Sequence, residues 1–530
     1  MTKFSLDDDR VVVVVGSGAG GGTAADVLCR NGINTVLVEA GRYVDAEDFF
    51  QDEAAAYEQL AWKEPRVSAG GWRVAKDFPA DPAWQCKVVG GTSVHWTGMA
   101  LRFQEHELKS RTIYGNVPGA DVVDWPIRYE ELLPYYEEGE RRMGVSGTNG
   151  LPNHPTTNHF KVFYHGAKRS GYKQISKGSL AINVDEYDDR PGSAQDGFTI
   201  NGDRRRAKWS TAYVEVPRAL QSGRLDLRTE CRAVQIEHDA QGLVSGLVYV
   251  GPDGERRRQA CAAMIIAGNA IETPRLLLNS TSGRFPNGMA NGSGLVGCYY
   301  MRHMTSSVWS IFDKPVRMYR GEMMPGLVKD EARHDGGRGF VGGYYIQLLS
   351  LSLPAIASSL MPGGWGRDLT WAFERYGSMA GLYGLGEDMP QRGNCIKLHP
   401  DRVDQFGVPL AIVHYDEHEN DLSMQSHSYK AMQAIHAAAG AVRSYLTPPY
   451  PASHNMGTTR MSGDPGLGVV NSWGAAHEVS NLYVADGSVF PTSGAANPTL
   501  TIVALALRQA EHISAGLKSG NGSDTHATAH

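Results

Sequence analysis

Three stretches of this sequence carry residue types and spacings that could do chemistry. In RVVVVVGSGAGGG, Gly16, Gly18 and Gly21 follow a run of valines in G-x-G-x-x-G spacing, with Glu39 further on. Such glycines let the backbone turn sharply and approach a pyrophosphate. The next helix offers free N–H groups and its positive end, and an acid closing the following strand can accept hydrogen bonds from a ribose. In KVVGGTSVHWTGM, Gly90, Gly91, Thr92 and Ser93 precede a His95–Trp96 step. Paired glycines after an apolar run suit backbone pressed against a flat ligand. A histidine packed on a tryptophan for structural reasons accounts for the same step. The third stretch is PASHNMGTTRMS, with NLYVADGSVFPTSGAANPTLTIVALALR after it, holding His454, Asp486, Gly487, Asn497 and Thr499. A neutral imidazole is a suitable base near pH 7. A lone histidine is more often structural, so His454 needs its surroundings to give it a role.

The elements that must position these residues are legible in part. Residues 11–15 are a β-branched run that reads as a strand buried on both faces. Residues 23–30 read as a helix ending near Gly32, and 35–38 as a second strand, which completes a βαβ unit. Further along, 225–237, 242–250, 262–267 and 482–485 read as strands. Residues 132–143 and 272–278 read as helices. A last helix begins at Pro498, where proline is tolerated and the N–H groups suit an anion. Residues 188–206 are a polar loop ending in Arg204, Arg205 and Arg206, whose charges are expected to be solvated, with phosphate or partner binding as the alternative. Residues 339–366 hold no charge and include YYIQLLSLSLPAIASSLM. That run is long enough to raise a membrane question. Gln347, several serines, Pro354 and nearby glycines argue instead for a buried helix or a channel-lining segment, with an interfacial or partner patch as the alternative. The polar end, 519–530, is expected to be a disordered tail.

Composition bounds the rest. The 530 residues correspond to three or four structural units at ~150 residues each. Glycine is abundant, at 62 residues, and lies beside dense apolar runs, which points to tight turns rather than disorder. A net charge of −6 excludes a general nucleic-acid binder. The six cysteines are scattered with no C-x-x-C pair, which excludes a zinc ribbon and a cysteine-held iron–sulfur cluster, and no metal site is expected. MTKFSLDDDR lacks an apolar core of a signal peptide, so a cytoplasmic protein is expected.

Together these blocks resemble the glucose–methanol–choline (GMC) oxidoreductases, flavoenzymes, and within them the branch of pyranose oxidases and bacterial sugar and glycoside dehydrogenases. The likeness runs from about Arg10 to about His512. It rests on the N-terminal glycine loop, GGTSVHW, AGNAIETPRLLLNS and the C-terminal block, in that order. It implies FAD as cofactor, held at its pyrophosphate and adenosine ribose by Gly16, Gly18, Gly21 and Glu39. By the same likeness Val234 meets the adenine through its backbone, and Ala267 and Gly268 pack on the cofactor. Gly91, Thr92 and Ser93 run beside the isoalloxazine, Asp486 and Gly487 lie near the pyrophosphate and ribityl chain, and Thr499 lies by the pyrimidine edge. His454 matches the family's active-site histidine and Asn497 its partner. His454 then takes the hydroxyl proton while hydride passes to flavin N5. In pyranose oxidases a Thr-His-Trp segment binds the flavin covalently. Here Val94 replaces the threonine, so a bond through His95 and a non-covalent FAD both stay open.

The likeness implies oxidation of an alcohol, in this branch a secondary hydroxyl of a sugar or glycoside. Tyr319, Tyr344, Tyr345, Trp365 and Trp371 could stack on sugar rings or be core. The alternatives are the same chemistry on an aromatic or long-chain alcohol, and a non-redox hydroxynitrile lyase that keeps FAD. Oxygen or a quinone would reoxidise the flavin. The cysteine relay of some bacterial relatives is absent, because no cysteine lies between Cys86 and Cys231. Where the family often has Asp-His, this chain has Arg302-His303, and the sequence gives that arginine no role. The expected fold is α/β: a doubly wound FAD domain from 9–160, 205–300 and 450–518, with a substrate domain built on an antiparallel sheet from 161–204 and 301–449.

Overall fold

The computed structural model describes residues 2–49, 52, 65–361 and 364–522. At its centre is β1 (Val12–Val15), with every residue buried. It pairs in parallel with β2 (Thr35–Val38) on one side and β9 (Ala263–Ile266) on the other. With β5 (Leu225–Arg228) and β17 (Leu482–Val484) the sheet order is β17-β9-β1-β2-β5. Valine on both faces of β1 is what a strand covered on both sides requires. The helix Ala19–Arg30 follows at once and packs on the C-terminal helix Thr499–Gly522. The close contact of this helix with the end of β1 depends on Gly21, where a Cβ would meet the Gly16 carbonyl oxygen at 1.9 Å.

A second sheet, wholly antiparallel, has six strands in the order β16-β10-β13-β12-β11-β4. They are β16 (Ala441–Thr447), β10 (Met304–Phe312), β13 (Met379–Gly386), β12 (Tyr344–Leu349), β11 (Gly326–Val328) and β4 (Ile175–Lys177). The helices Asn158–Arg169 and Glu419–Ala438 cover one face through Phe160, Phe163, Met424, Met432 and Ile435. Two small sheets complete the fold. In one, β14 (Cys395–Val403) and β15 (Pro409–His414) join β3 (Arg66–Ala69). In the other, β6 (Arg232–His238), β7 (Val244–Val250) and β8 (Arg256–Ala260) form a meander.

Several expectations need correction. Residues 225–237 are two strands, β5 and β6, in different sheets. The uncharged stretch 339–366 is not one helix. It holds β12, inside the antiparallel sheet, and then the short helix Leu353–Ser359. A strand buried on both faces and a buried helix give the same unbroken apolar run. The last helix continues to Gly522, four residues into the expected tail, and 523–530 lie outside the described residues. No helix among the described residues is long and apolar enough to cross a membrane.

Candidate active site

A cavity of about 700 Å³ lies between the carboxyl edge of the parallel sheet and the antiparallel sheet. That is the position where open α/β sheets bind ligands, and the volume falls within the ~300–1,000 Å³ of small-molecule sites. Three helix N-termini open onto it: Gly18–Gly20 before the first helix, Gly268 and Asn269 at the helix Asn269–Asn279, and Pro498 and Thr499 at the last helix. Each turns its positive end toward the cavity, although at the helix Asn269–Asn279 the N–H groups of Gly268, Asn269, Ile271 and Glu272 are already capped by side chains.

Of the residues singled out in the sequence, Gly16, Gly18, Glu39, Gly91, Thr92, Ser93, His95, Val234, Ala267, Gly268, Asp486, Gly487, Thr499, His454 and Asn497 all line this cavity. Gly21 does not; its place is the strand–helix contact described above. Gly16 has φ +93° and its Cβ would lie 2.4 Å from the Ala267 carbonyl oxygen. Gly18 differs, because a Cβ there meets no protein atom closer than 3.9 Å. Its open side is the cavity. Glu39 is held by Ser17 N (2.9 Å), Ser17 Oγ (2.7 Å) and Gly41 N (2.8 Å), and burial raises its pKa. Val234 is skipped in the pairing of β6 with β7 and so is the extra residue of a bulge. Asp486 accepts from Asn269 N (2.9 Å), Thr273 Oγ1 (2.6 Å) and Ser488 N (2.8 Å). It therefore ties the turn after β17 to the start of the helix Asn269–Asn279.

The loop of Gly91–Val94 is fixed by its hydroxyls. Ser93 Oγ donates to Gly90 O at 2.6 Å and shares a hydrogen with Ser210 Oγ at 2.8 Å. Thr92 Oγ1 accepts from Cys86 N at 3.2 Å. His95 Nδ1 lies 2.9 Å from Ile200 O. A carbonyl only accepts, so Nδ1 carries the hydrogen and Nε2 keeps its lone pair. Burial, helped by the Lys208 ammonium, pushes the His95 pKa down to about 3.

The same cavity is lined by His454 and Asn497. His454 borders the cavity, and burial holds its pKa well below the ordinary 6.5. The ring is a neutral base at neutral pH. Asn497 Oδ1 accepts from Gln347 Nε2 at 2.7 Å, which leaves the Asn497 amide hydrogens for the cavity. The backbone that presents Asn497 is clamped by Glu107, which accepts from Ala495 N (2.6 Å) and Ala496 N (3.2 Å). His303 Nδ1 lies 3.0 Å from His454 Nδ1.

The structure gives Arg302 a task. Its backbone N donates to Asp388 Oδ2 at 2.6 Å, and its Nη2 donates to Tyr450 O at 2.7 Å. Its guanidinium lies over the Trp72 ring at 4.9 Å. It thus anchors the segment that leads into His454. None of Tyr319, Tyr344, Tyr345, Trp365 and Trp371 lines the cavity. Tyr344 and Tyr345 are buried, Tyr319 stacks on Tyr376, and Trp365 is 88% exposed. The cavity is lined instead by Met323, Met324, Leu349, Leu351 and Ala355, with Thr305, Ser307, Tyr383 and Tyr450, besides the residues named above. The uncharged stretch therefore does line the cavity, through Leu349, Leu351 and Ala355. Sequence reasoning missed His303, Gln347 and Glu107 as neighbours of the site. An uncharged glutamine within an apolar run was the one visible sign among them.

Comparison with known proteins matches residues 67–305 and 390–506 to the N- and C-terminal models of the GMC oxidoreductases. The chain is 32% identical to 2-methyl-1,2-propanediol dehydrogenase of Mycolicibacterium austroafricanum, covering 96% of this chain and 95% of that one. The chain is a GMC oxidoreductase. As such it is an FAD-dependent enzyme acting on CH–OH groups. It is also 29% identical to the fructose dehydrogenase large subunit of Gluconobacter japonicus, over 98% of this chain and 100% of that one. Its fold superposes on Aspergillus oryzae formate oxidase with a TM-score of 0.71 at 14% identity, covering 97% and 99% of the two chains. The cavity of this GMC oxidoreductase fits FAD: a glycine open toward the ligand at Gly18, the helix N-termini at Gly18–Gly20 and at Thr499 for phosphate and flavin oxygens, and the bulge at Val234 for an adenine edge. Among the described residues no group of three or more His, Cys, Asp or Glu could hold a metal ion.

Proposed function

We propose that this enzyme oxidises a hydroxyl group of a sugar or glycoside, with His454 as the base and Asn497 as the hydrogen-bond donor to the same oxygen. The observation that carries the reading is that one cavity is lined by both a neutral imidazole and an amide whose oxygen is already occupied. A hydroxyl both donates and accepts, and this pair offers one group for each role. His454 takes the hydroxyl proton as the C–H bond breaks. Asn497 holds the oxygen and opposes its rotation. Bound FAD supplies the acceptor for the hydride. The helix starting at Thr499 turns its positive end to the cavity, where negative charge gathers in the reaction. Gly16, Gly18, Glu39, Val234, Ala267, Asp486 and Gly487 hold the cofactor in this reading, with Gly91, Thr92, Ser93 and Thr499 around its ring system. The parallel-sheet segments serve the cofactor and the antiparallel sheet serves the substrate.

A covalent link to FAD, if formed, uses His95 Nε2, the ring nitrogen left free by Ile200 O. Flavin fluorescence that stays with the denatured chain on a gel supports the link, and release of all flavin shows a non-covalent cofactor.

The relationship to a fructose dehydrogenase supports the sugar reading. A second reading, the same chemistry on an apolar alcohol, is favoured by Met323, Met324, Leu349, Leu351 and Ala355 in the cavity lining. Anaerobic bleaching of the flavin by glucose, an aryl glycoside, a polyol and a benzylic alcohol separates them. Bleaching by sugars supports the first reading, and bleaching by the benzylic alcohol alone supports the second. Admitting air then tells oxygen from another acceptor, such as a quinone, by the speed of recovery.

A further inference from the structure

We propose that His303 is a positioning residue that decides which nitrogen of His454 carries the proton. The inference rests on the reading of His454 as the base and deepens it. His303 Nε2 lies 3.1 Å from Ser493 O. The carbonyl can only accept, so His303 Nε2 carries a hydrogen. The ring is fully buried, with its pKa pushed down to about 4, and so it is neutral and its Nδ1 is a bare lone pair. That lone pair faces His454 Nδ1 at 3.0 Å. Two lone pairs do not face each other at hydrogen-bond distance, so His454 Nδ1 carries the hydrogen and donates it. His454 Nε2 is then the basic nitrogen. The hydrogen bond made by one ring nitrogen sets the state of the other.

The backbone is built for this meeting. Met301 and Met456 exchange two hydrogen bonds, 3.0 and 2.9 Å. This antiparallel bridge sets the two segments side by side, with His303 two residues beyond one partner and His454 two before the other. His303 also has φ +68°, a left-handed conformation uncommon for a side-chain-bearing residue and held only where the surroundings over-determine it. Ser493, which fixes His303, is itself held: Asp388 N donates to its Oγ at 2.8 Å.

When the base works, the substrate O–H bond breaks, its proton goes to His454 Nε2 and the Nδ1–H bond persists. The imidazolium so formed still donates through Nδ1 to the His303 lone pair. His303 therefore presents the correct tautomer before the step and stabilises the charge after it, without gaining a proton.

The test uses the FAD-loaded enzyme and an alcohol that bleaches it. His303→Phe keeps the ring and removes both nitrogens. The expected result is normal FAD content, little change in apparent substrate affinity, and a limiting rate of flavin reduction ~10–100-fold lower. His303→Asn, whose Oδ1 can stand where Nδ1 stood and which tolerates a positive φ, is expected to recover most of the loss. The unmutated enzyme gives an independent readout that does not depend on the Phe variant folding. In ¹⁵N NMR with labelled histidine, the His454 signals, assigned by their loss in His454→Gln, are expected to show a protonated Nδ1 and a bare Nε2. A His454 protonated at Nε2, or a His303→Phe enzyme reducing at the parent rate while His454→Ala does not, overturns the inference. A His454→Ala enzyme at the parent rate overturns the base reading instead.

Discussion

Gln347 Nε2 donates to Asn497 Oδ1 at 2.7 Å, joining the interior of the antiparallel sheet to the residue proposed to hold the substrate oxygen. The bond decides which end of the Asn497 amide looks into the cavity. Gln347→Leu keeps the volume and removes the bond. A typical net hydrogen bond is worth ~1 kcal/mol, so the expected loss in limiting flavin reduction is about fivefold, with FAD content unchanged. Stopped-flow absorbance measures it, and the parent rate in this variant would show that Asn497 needs no orienting partner.

The two cofactor-loop glycines make opposite predictions. At Gly18, a Cβ has room in the fold, and the branches of a valine extend into the cavity. Gly18→Val is expected to fold and to lose FAD. At Gly16, φ is +93° and the Ala267 carbonyl oxygen stands 2.4 Å from the added carbon. Gly16→Ala is expected to lose about 2 kcal/mol or more of stability. The flavin-to-protein absorbance ratio and a thermal melt, run together on both variants, distinguish the effects.

Much of this was legible in the sequence where the signal is local. The valines of β1, the glycines after them and Glu39 lie within one short βαβ unit, whose period and turn chemistry read directly. His454 and Asn497 were reached through the family blocks around them. His303 and Gln347 were not reached as parts of the site, because their contacts cross 151 and 150 positions of sequence. Neither periodicity nor spacing carries such pairings. The five aromatic residues, which the sequence left open between sugar stacking and core, went to core and surface. Aromatic residue type reports bulk and polarity, and says nothing about which side of a strand faces a cavity.

Glu107 bears on stability. Its carboxylate accepts from Gln104 N (2.6 Å) as well as from Ala495 N and Ala496 N. Glu107→Ala leaves three backbone donors without this acceptor. At ~1–3 kcal/mol per unsatisfied buried group, partly relieved by water entering the space, the expected loss is about 3 kcal/mol. Denaturant unfolding of the FAD-loaded enzyme measures it, and a loss below about 1 kcal/mol would show that the loop holds itself.

The pH dependence of flavin reduction follows from the direction of the His454 shift. Its pKa lies well below 6.5, because burial disfavours the charged ring. The active form is the neutral one. Lowering the pKa therefore extends activity toward acid, and the fall begins only under pH 6.5. A rate profile flat from about pH 6.5 to 8 is expected. An acid limb at or above 6.5 would assign the titration to another group.

The central claim is that His454 removes the proton from the alcohol. The most direct measurement is the limiting rate of anaerobic flavin reduction in His454→Ala against the parent, with one alcohol that bleaches both. The account predicts a normal oxidised flavin spectrum and a rate lower by on the order of 10²–10⁴-fold. Reduction at the parent rate would contradict it.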